Sequence, residues 1–451
     1  MYYVLANIVG QGIVLLSSAL FTRMMSKADF GLVSTYSTWV LVLNTFICLN
    51  LFITVRTAYI DFREEYDAYV SSVLCLNIIS GLVITVLIAL FSQLFRTGFG
   101  IAEVLLACIQ SVALNIINYM LAVQAMKNRY KQRSILMVAP NWTHIILSVI
   151  LMLIFTGNLY LAKISGNAIG LLIFALICAT VIFHRAAPTI NLKYWKYALR
   201  ISVPSIFNTL SDLILIQSDR LMLTAMVGSE ETAEYTVVYN VSSIIVAIYQ
   251  AINGAWLPWF FDKIKNKKTE IIREYQGYYV LAFTVFSCGM MTISPELIKI
   301  MSPRDYWDSI GYVAPIILAS FLIFLYAFFS SYLLYLKKTG RIAINTVIAA
   351  VLNVGLNMVL IPKLGARGAV ISTVLAYLLL FVLHLLAVLK YGKEYFCFSK
   401  MWINTALMVL FGTVFFFTRN WWYVRYATLA VFIVAVYLTR GRKIISKISK
   451  R

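Results

Sequence analysis

The chain has 451 residues, of which 61% are hydrophobic and only 12% charged, and its formal net charge is +20. A soluble globular protein has about 45–50% apolar and about 25% charged residues, so this composition excludes a disordered chain and a soluble protein of ordinary domains. In a soluble protein the basic excess would suggest nucleic acid as a partner. In a membrane protein it must first be tested against the rule that cytoplasmic loops are rich in Lys and Arg.

Fourteen apolar runs are long enough to cross a bilayer, whose hydrocarbon core needs about 20 residues of helix. They lie at 2–22, 33–55, 68–94, 101–124, 134–156, 160–183, 197–218, 234–260, 277–298, 309–336, 342–361, 368–389, 401–418 and 421–439. The first run lacks a preceding basic segment and a cleavage site, so we expect a retained helix rather than a signal peptide. Because the connections are short, any function must be built from the helices and their ends.

Lys and Arg are distributed unevenly between alternate connections. With the N-terminus in the cytoplasm, 11 of the 38 basic residues fall outside and the other 27 inside. The inside clusters are 127–133, 185–200, 263–273, 337–341, 390–400 and 440–451. This distribution predicts an even number of spans with both termini in the cytoplasm, and a basic tail, 440–451, that lies at anionic lipid headgroups. Topology thus explains most of the net charge, and no nucleic-acid partner is expected.

Signatures of enzymes and metal sites are missing from the sequence. None of the six cysteines forms a CxxC pair, and neither a GxSxG elbow, a P-loop nor HExxH occurs. We therefore predict no catalytic residue, no metal and no cofactor.

The chain resembles itself at a period of about 200–210 residues, which is typical of transporters built from internal repeats. The segment LFTRMMSKADFGLVSTYS corresponds to LMLTAMVGSEETAEYTVVYN, and the basic turns KNRYKQRS and KKTGRIAIN correspond to each other. These similarities predict an N-lobe at 1–190 with spans 1–6 and a C-lobe at 191–395 with spans 7–12, around a central cavity. Residues 396–451 add two further helices and the basic tail.

Polar side chains recur at helical spacing within several spans. These are Asn7 and Gln11 in the first span, Asn44 in the second, Asn208, Asp212 and Asp219 in the seventh, Asn253 in the eighth, and Asn353 and Asn357 in the eleventh. Such groups face either a water-filled cavity or a neighbouring helix to which they hydrogen-bond, and the sequence leaves both alternatives open. Asp212 and Asp219 are candidates for binding a coupling proton or sodium ion, whereas a structural ion pair is the alternative role for each.

Several segments resemble a known family. LNVGLNMVLIPKLGARGAVISTVLAY, 352–377, is similar to the pattern N-x3-N-x4-P-x2-G-x2-GA-x3-T of polysaccharide and O-antigen flippases. The segment 202–228, SVPSIFNTLSDLILIQSDRLMLTAMVG, resembles their seventh span. The segment 21–31, FTRMMSKADFG, resembles the turn that follows their first span. The chain departs from them at Met25, where Leu is usual, and at 233–235, where Gly-x-Tyr is usual. The likeness covers nearly the whole chain and indicates the multidrug/oligosaccharidyl-lipid/polysaccharide (MOP) exporter superfamily.

The resemblance implies an all-α, polytopic membrane protein that works by alternating access. It also implies a substrate, an undecaprenyl-pyrophosphate-linked oligosaccharide, which is moved from the cytoplasmic to the outer leaflet of a bacterial plasma membrane. On this reading Arg23, Arg56 and Arg220 bind the pyrophosphate, and the polar side chains of the spans replace the water around the sugars. The polymerase and glycosyltransferases of the same pathway would be separate proteins. Topology or snorkelling is the alternative explanation for Arg23 and Arg56.

Three other functions compete with this one. A multidrug or cation antiporter of the same superfamily would need acidic residues in its cavity, whereas the spans hold few carboxylates and have basic residues at their ends. A membrane enzyme such as a polysaccharide polymerase or an acyltransferase would need a sizeable loop or a loop cluster of His, Asp and Arg, and the short connections disfavour it. A scaffold without transport activity is the third alternative.

Overall fold

The structure, a computed structural model, describes residues 2–91 and 99–441, apart from the side chains of residues 2–5, 7, 8, 91, 440 and 441. Regular structure within these residues is entirely helical. The α-helices are α1 (Tyr2–Met24), α2 (Lys27–Ile47), α3 (Thr54–Asp61), α4 (Tyr66–Phe91), α5 (Ile101–Met126), α6 (Tyr130–Ile154), α7 (Leu159–Arg185), α8 (Leu192–Met226), α9 (Ser229–Lys265), α10 (Thr269–Met301), α11 (Val313–Tyr335), α12 (Thr339–Leu364), α13 (Ala366–Tyr391), α14 (Phe398–Thr418) and α15 (Trp422–Val436). Residues 442–451 of the basic tail and the side chain of Asn7 lie outside this description.

Thirteen helices among the described residues are long and apolar enough to cross a membrane, and α1 contributes a shorter apolar helix at Val9–Met24. Each predicted run overlaps one long helix, although the second, 33–55, also extends into α3, which with eight residues is too short to span. The protein is an all-helical, multi-pass membrane protein, as the composition predicted.

The predicted second span, 33–55, is wrong in its last third. Helix α2 ends at Ile47, and the backbone then turns at Leu49 and Asn50, whose φ angles are 49° and 54°. A short 3₁₀ turn, Leu51–Ile53, leads into α3. The segment stays apolar through the break, so hydropathy alone could not reveal it. The physical cause is Asn50, a residue that tolerates the left-handed conformation, whose Nδ2 donates to hydroxyl oxygens on α8.

The first of two compact units comprises Met1–Ala233. One cluster of its core lies near the start of α4 and includes Leu51, Tyr69, Ile116, Leu171 and Tyr194. Helix α7 packs on both α5 and α6, and α2 packs on α5 and α8. The long helices of this unit therefore bury one face against their neighbours.

The second unit comprises Glu234–Arg451. Aromatic side chains dominate its core, where Phe283 stacks on Phe324 at 3.9 Å between ring centroids and Phe329 contacts Phe381 and Phe396. Helices α10 and α11 carry most of these rings, and α14 packs against both helices.

Two glycines shape the junction of α12 and α13. Gly365 has a φ angle of +57° and a ψ angle of −137°, a backbone conformation that is open to glycine but strongly strained for residues with a Cβ. A Cβ on Gly368 would meet the carbonyl oxygen of Leu360, so only glycine allows this close approach. The Gly-x2-Gly spacing of the flippase-like segment thus has a structural explanation.

Candidate functional site

The three arginines expected to bind an anion all belong to the first unit. Arg23, in the last turn of α1, is exposed, and its Nη1 donates to the carbonyl oxygen of Ala19 at 2.9 Å. Arg56 is exposed on α3. Arg220 is half-buried on α8, and its Nη1 donates to Oε1 of Gln217 at 2.5 Å.

Helices α2 and α8 run antiparallel, and contacts between them show which residues of the two helices lie at the same level along the helix axes. The hydroxyl oxygens of Thr35 and Thr224 lie 2.5 Å apart near one end of the pair. At the other end, Asn50 Nδ2 donates to Thr209 Oγ1 at 2.9 Å. The 21 residues of α2 extend about 31 Å, roughly the thickness of the hydrocarbon core.

This geometry distributes the arginines along the unit instead of gathering them in one site. Arg23 lies at the end where α2 begins, and Arg56 lies beyond the opposite end, where α2 has finished. Arg220 is one helical turn deeper than Thr224, so it lies between these two levels. An anion held by these groups would therefore meet them one after another, not together.

The two aspartates of α8 differ in environment. Asp219 is buried, with 1% of its surface exposed, and it is the sequence neighbour of Arg220. Asp212, two turns earlier, is exposed. Their spacing of seven residues places both on one side of the helix.

Three of the predicted amides form contacts between helices or along one helix. Asn44 is buried, and its Nδ2 donates to the carbonyl oxygen of Ser111 on α5 at 2.7 Å. Asn357 Nδ2 donates to Oδ1 of Asn353 at 3.3 Å, and Ser372 Oγ on α13 donates to Asn357 Oδ1. These contacts have the geometry of the interhelical alternative.

The remaining polar positions are more accessible. Asn208 is exposed on α8, whereas Gln11 on α1 and Asn253 on α9 are half-buried. These three, unlike the buried amides, have part of their surface open outside the helix packing.

A buried lysine is a feature that sequence reasoning missed, because Lys163, although it lies inside the predicted run 160–183, was counted among the 11 basic residues of the outer connections. It lies in α7 with 4% of its surface exposed, and its Nζ donates to Asn167 Oδ1 at 2.9 Å. The same atom lies 3.7 Å from the centre of the Phe21 ring. The spacing of Lys163 and Asn167, four residues apart at the start of an apolar run, was the available signal.

A second missed feature joins the start of α8 to the segment around α3. Tyr194 donates its hydroxyl to Glu65 Oε2, and Tyr197 donates to Asp61 Oδ2, both at 2.5 Å. The ring of Phe62 packs against both tyrosines. The alternation of acidic and aromatic residues in DFREEY indicated such pairing.

A groove of about 540 Å³ lies between α1 and α6. Its walls are Ala6, Val9, Ser134, Ile135, Val138, Ala139, Trp142 and Thr143. Most of this lining is apolar, and the Thr143 hydroxyl donates a hydrogen bond to the carbonyl oxygen of Ala139 at 3.0 Å.

Comparison with proteins of known structure places the fold among transporters of the MOP superfamily. A structure titled "Lipid II flippase MurJ, inward closed conformation" matches with a TM-score of 0.75 and 14% identity, over 97% of this chain and 98% of that chain. An inward-facing multidrug resistance transporter of the MATE family matches with a TM-score of 0.65 and 16% identity, over 86% of this chain and 96% of its own. At these identities the likeness concerns the fold.

The chain belongs to the polysaccharide biosynthesis protein family, whose model matches residues 1–264. Among curated proteins, "Probable low-salt glycan biosynthesis flippase Agl15" of Haloferax volcanii is 25% identical over 296 residues. That alignment spans 60% of this chain and 60% of the relative. The names of these relatives denote flippases and transporters rather than enzymes, and the resemblance to the MOP superfamily is confirmed.

Proposed function

We propose that the chain is a flippase that moves an undecaprenyl-pyrophosphate-linked oligosaccharide from the cytoplasmic to the outer leaflet of a bacterial plasma membrane. The family match over residues 1–264 carries this proposal, because that family is defined by polysaccharide biosynthesis. The flippase named among the relatives and the transporter fold support it. Both termini are taken to be cytoplasmic, in line with the excess of basic residues on the inner side.

The barrier to this reaction is the transfer of a charged pyrophosphate and a hydroxyl-rich glycan across about 30 Å of hydrocarbon. Arginines at three depths can hold the pyrophosphate in succession, since a guanidinium offers two parallel donors to phosphate oxygens. In this scheme Arg56 receives the anion at the inner end, Arg220 holds it at an intermediate depth, and Arg23 holds it at the outer end. The lipid chain stays in the bilayer.

Polar side chains without charge would then accompany the sugars. We assign this role to Gln11, Asn208 and Asn253, which are partly or fully accessible. Asn7 belongs to the same predicted stripe of α1. Asn44, Asn353 and Asn357 would act indirectly, by fixing the helices that carry the cavity.

Asp212 and Asp219 remain the candidates for coupling transport to a proton or sodium gradient. A carboxylate within a membrane-spanning helix needs a partner, a proton or water, so it is suited to exchange one of these for another during the cycle. Polymerase and glycosyltransferases that make and use the substrate are expected as separate partners.

Charge reversal of Arg220 or Arg23 tests the proposal in a strain that lacks the native gene. The readout is the leaflet distribution of the lipid-linked oligosaccharide, together with surface polysaccharide and the amount of protein in the membrane. We expect Arg220→Glu and Arg23→Glu to leave the intermediate in the cytoplasmic leaflet.

Arg419→Glu is the matched control. Arg419 follows α14, and its Nη1 also donates to a carbonyl oxygen of the preceding helix, that of Phe416. This control should export normally. Normal export by both the Arg220 and the Arg23 variants would refute the assigned roles, and an unchanged leaflet distribution in the deletion strain would refute the flippase itself.

A multidrug antiporter shares this fold and is the main rival. The deletion strain separates the two, since an antiporter would change drug sensitivity and leave the lipid-linked oligosaccharide where it is.

A further inference from the structure

The groove between α1 and α6 continues to a basic surface at the start of α6. The lining residues that α6 contributes are 134 and 135, 138 and 139, and 142 and 143. This spacing of four residues places them on one face of the helix. One turn earlier the same face carries Tyr130 and Lys131, and both are exposed. Arg129, also exposed, precedes the helix. An apolar wall therefore leads directly to a cluster of positive charge.

Small side chains create the depression. Ala6 on α1 and Ala139 on α6 contribute little bulk to its walls, whereas Trp142 and Val138 stand beside them. The volume of about 540 Å³ lies within the range of sites that bind small molecules, about 300–1,000 Å³. Among the lining residues that the structure describes, Trp142 is the one large aromatic side chain and few atoms are polar, so this surface suits a flexible hydrocarbon chain better than a sugar.

The length of the groove limits the identity of its occupant. The ten residues from Ser134 to Thr143 correspond to about 14 Å of helix. This is close to half of the hydrocarbon core of about 30 Å, that is, the depth of one leaflet. A phospholipid chain is anchored in one leaflet, whereas a polyprenyl chain is considerably longer.

The charge at its mouth limits the headgroup. Lys131 makes neither a hydrogen bond nor an ion pair with any residue in the described part of the chain. Arg129 Nη1 donates to Oε1 of Gln132 at 3.5 Å, its one side-chain hydrogen bond within the described part of the chain. Both cations can therefore reach a lipid phosphate, and each basic group near a membrane surface attracts anionic lipid by about 1 kcal/mol.

We propose that this groove is a binding site for one anionic phospholipid of the adjacent leaflet. One acyl chain lies between α1 and α6, and the phosphate lies at Arg129 and Lys131. The site is separate from the arginines assigned to transport, so it exists whether or not the chain is a flippase.

Native mass spectrometry of the full chain, purified from nanodiscs with equal phosphatidylglycerol and phosphatidylcholine, tests the headgroup. We expect wild-type protein to retain one phosphatidylglycerol selectively. Each removed charge should lower this selectivity about fivefold, so Arg129→Gln with Lys131→Gln should lower it about 25-fold. The control is Lys267→Gln with Lys268→Gln, in the basic turn before α10. An equal loss in the control would reduce the effect to general charge attraction and overturn the proposal.

A second pair of variants tests the groove itself. Ala139→Phe fills it and should remove the retained lipid. Ile150→Phe places the same phenyl ring at an exposed position of α6 outside the groove and should not remove it. Thermal unfolding of each variant verifies that it is folded. Retention of phosphatidylglycerol by folded Ala139→Phe protein would overturn the proposal, as would preferential retention of added polyprenyl phosphate by the wild type.

Discussion

Replacing either partner of the ion pair between α10 and α15 should destabilise the protein, but by unequal amounts. Arg425 has 2% of its side chain exposed and Glu296 has 33%. Nη1 of Arg425 donates to Oε2 of Glu296 at 3.0 Å and to the carbonyl oxygen of Thr292, and Nη2 donates to the other carboxylate oxygen. The arginine is thus the deeply buried partner, and the carboxylate retains some contact with its surroundings.

The magnitudes follow from which charge is left behind. Glu296→Gln leaves a buried guanidinium without its counter-ion, and breaking a buried pair in this way costs about 3–5 kcal/mol. Arg425→Met leaves a carboxylate that is one-third exposed, so we expect the loss of charged hydrogen bonds alone, about 1.5–3 kcal/mol. The double variant Glu296→Leu with Arg425→Met should have a stability near that of the wild type.

Thiol reactivity can measure this difference. Cys288 on α10 is fully buried, so a chain that keeps only this one of its six cysteines reacts with a fluorogenic maleimide when the second unit unfolds. Unfolding temperatures in detergent should follow the order wild type, Arg425→Met, Glu296→Gln. Equal losses for the two single variants, or a larger loss for Arg425→Met, would refute the reasoning from burial.

Two further substitutions have matched controls within the chain. Gly368→Ala should be strongly destabilising, because its Cβ would lie 2.4 Å from the carbonyl oxygen of Leu360. Gly355→Ala, on α12, meets no atom within 4 Å and should be neutral or slightly stabilising in the same thermal assay. Equal melting temperatures for the two variants would contradict the close contact. Asn50→Leu should lower the free energy of unfolding by about 2–3 kcal/mol, since it loses two hydrogen bonds and places a branched side chain in the left-handed region. Asn50→Gly should lower it by about 1 kcal/mol, from the hydrogen bonds alone. A smaller loss for Leu than for Gly would exclude backbone strain at this position.

Much of the fold is predictable because the bilayer demands long apolar helices, and such runs are visible in any single sequence. Breaks within apolar runs are less visible. The turn at Asn50 depends on the left-handed tolerance of one residue and on hydroxyls more than 150 residues further along the chain. Local hydropathy carries no information about either.

The polar stripes show a similar limit. Helical spacing predicts which polar residues share a face, but it does not say whether that face meets a helix or a cavity. Asn44 and Asn208 have the same side chain in apolar runs, yet the first is buried against α5 and the second is exposed. The count of charges placed Lys163 and Arg425 among the 11 basic residues of the outer connections, although both lie at the ends of predicted runs, and the structure buries both within helices. Tertiary contacts decide these cases, and sequence position does not.

The ion pair also has a consequence for the order in which the protein is made. Glu296 and Arg425 are separated by 129 residues. At about 5–20 residues per second, Glu296 enters the membrane on the order of 10 s before its partner is synthesised. Through that interval the Glu296 side chain of α10 lacks its arginine partner, and insertion of α15 completes the pair. A helix made 129 residues later thus supplies the partner of a much earlier one, so the second unit cannot complete its packing before α15 has been synthesised.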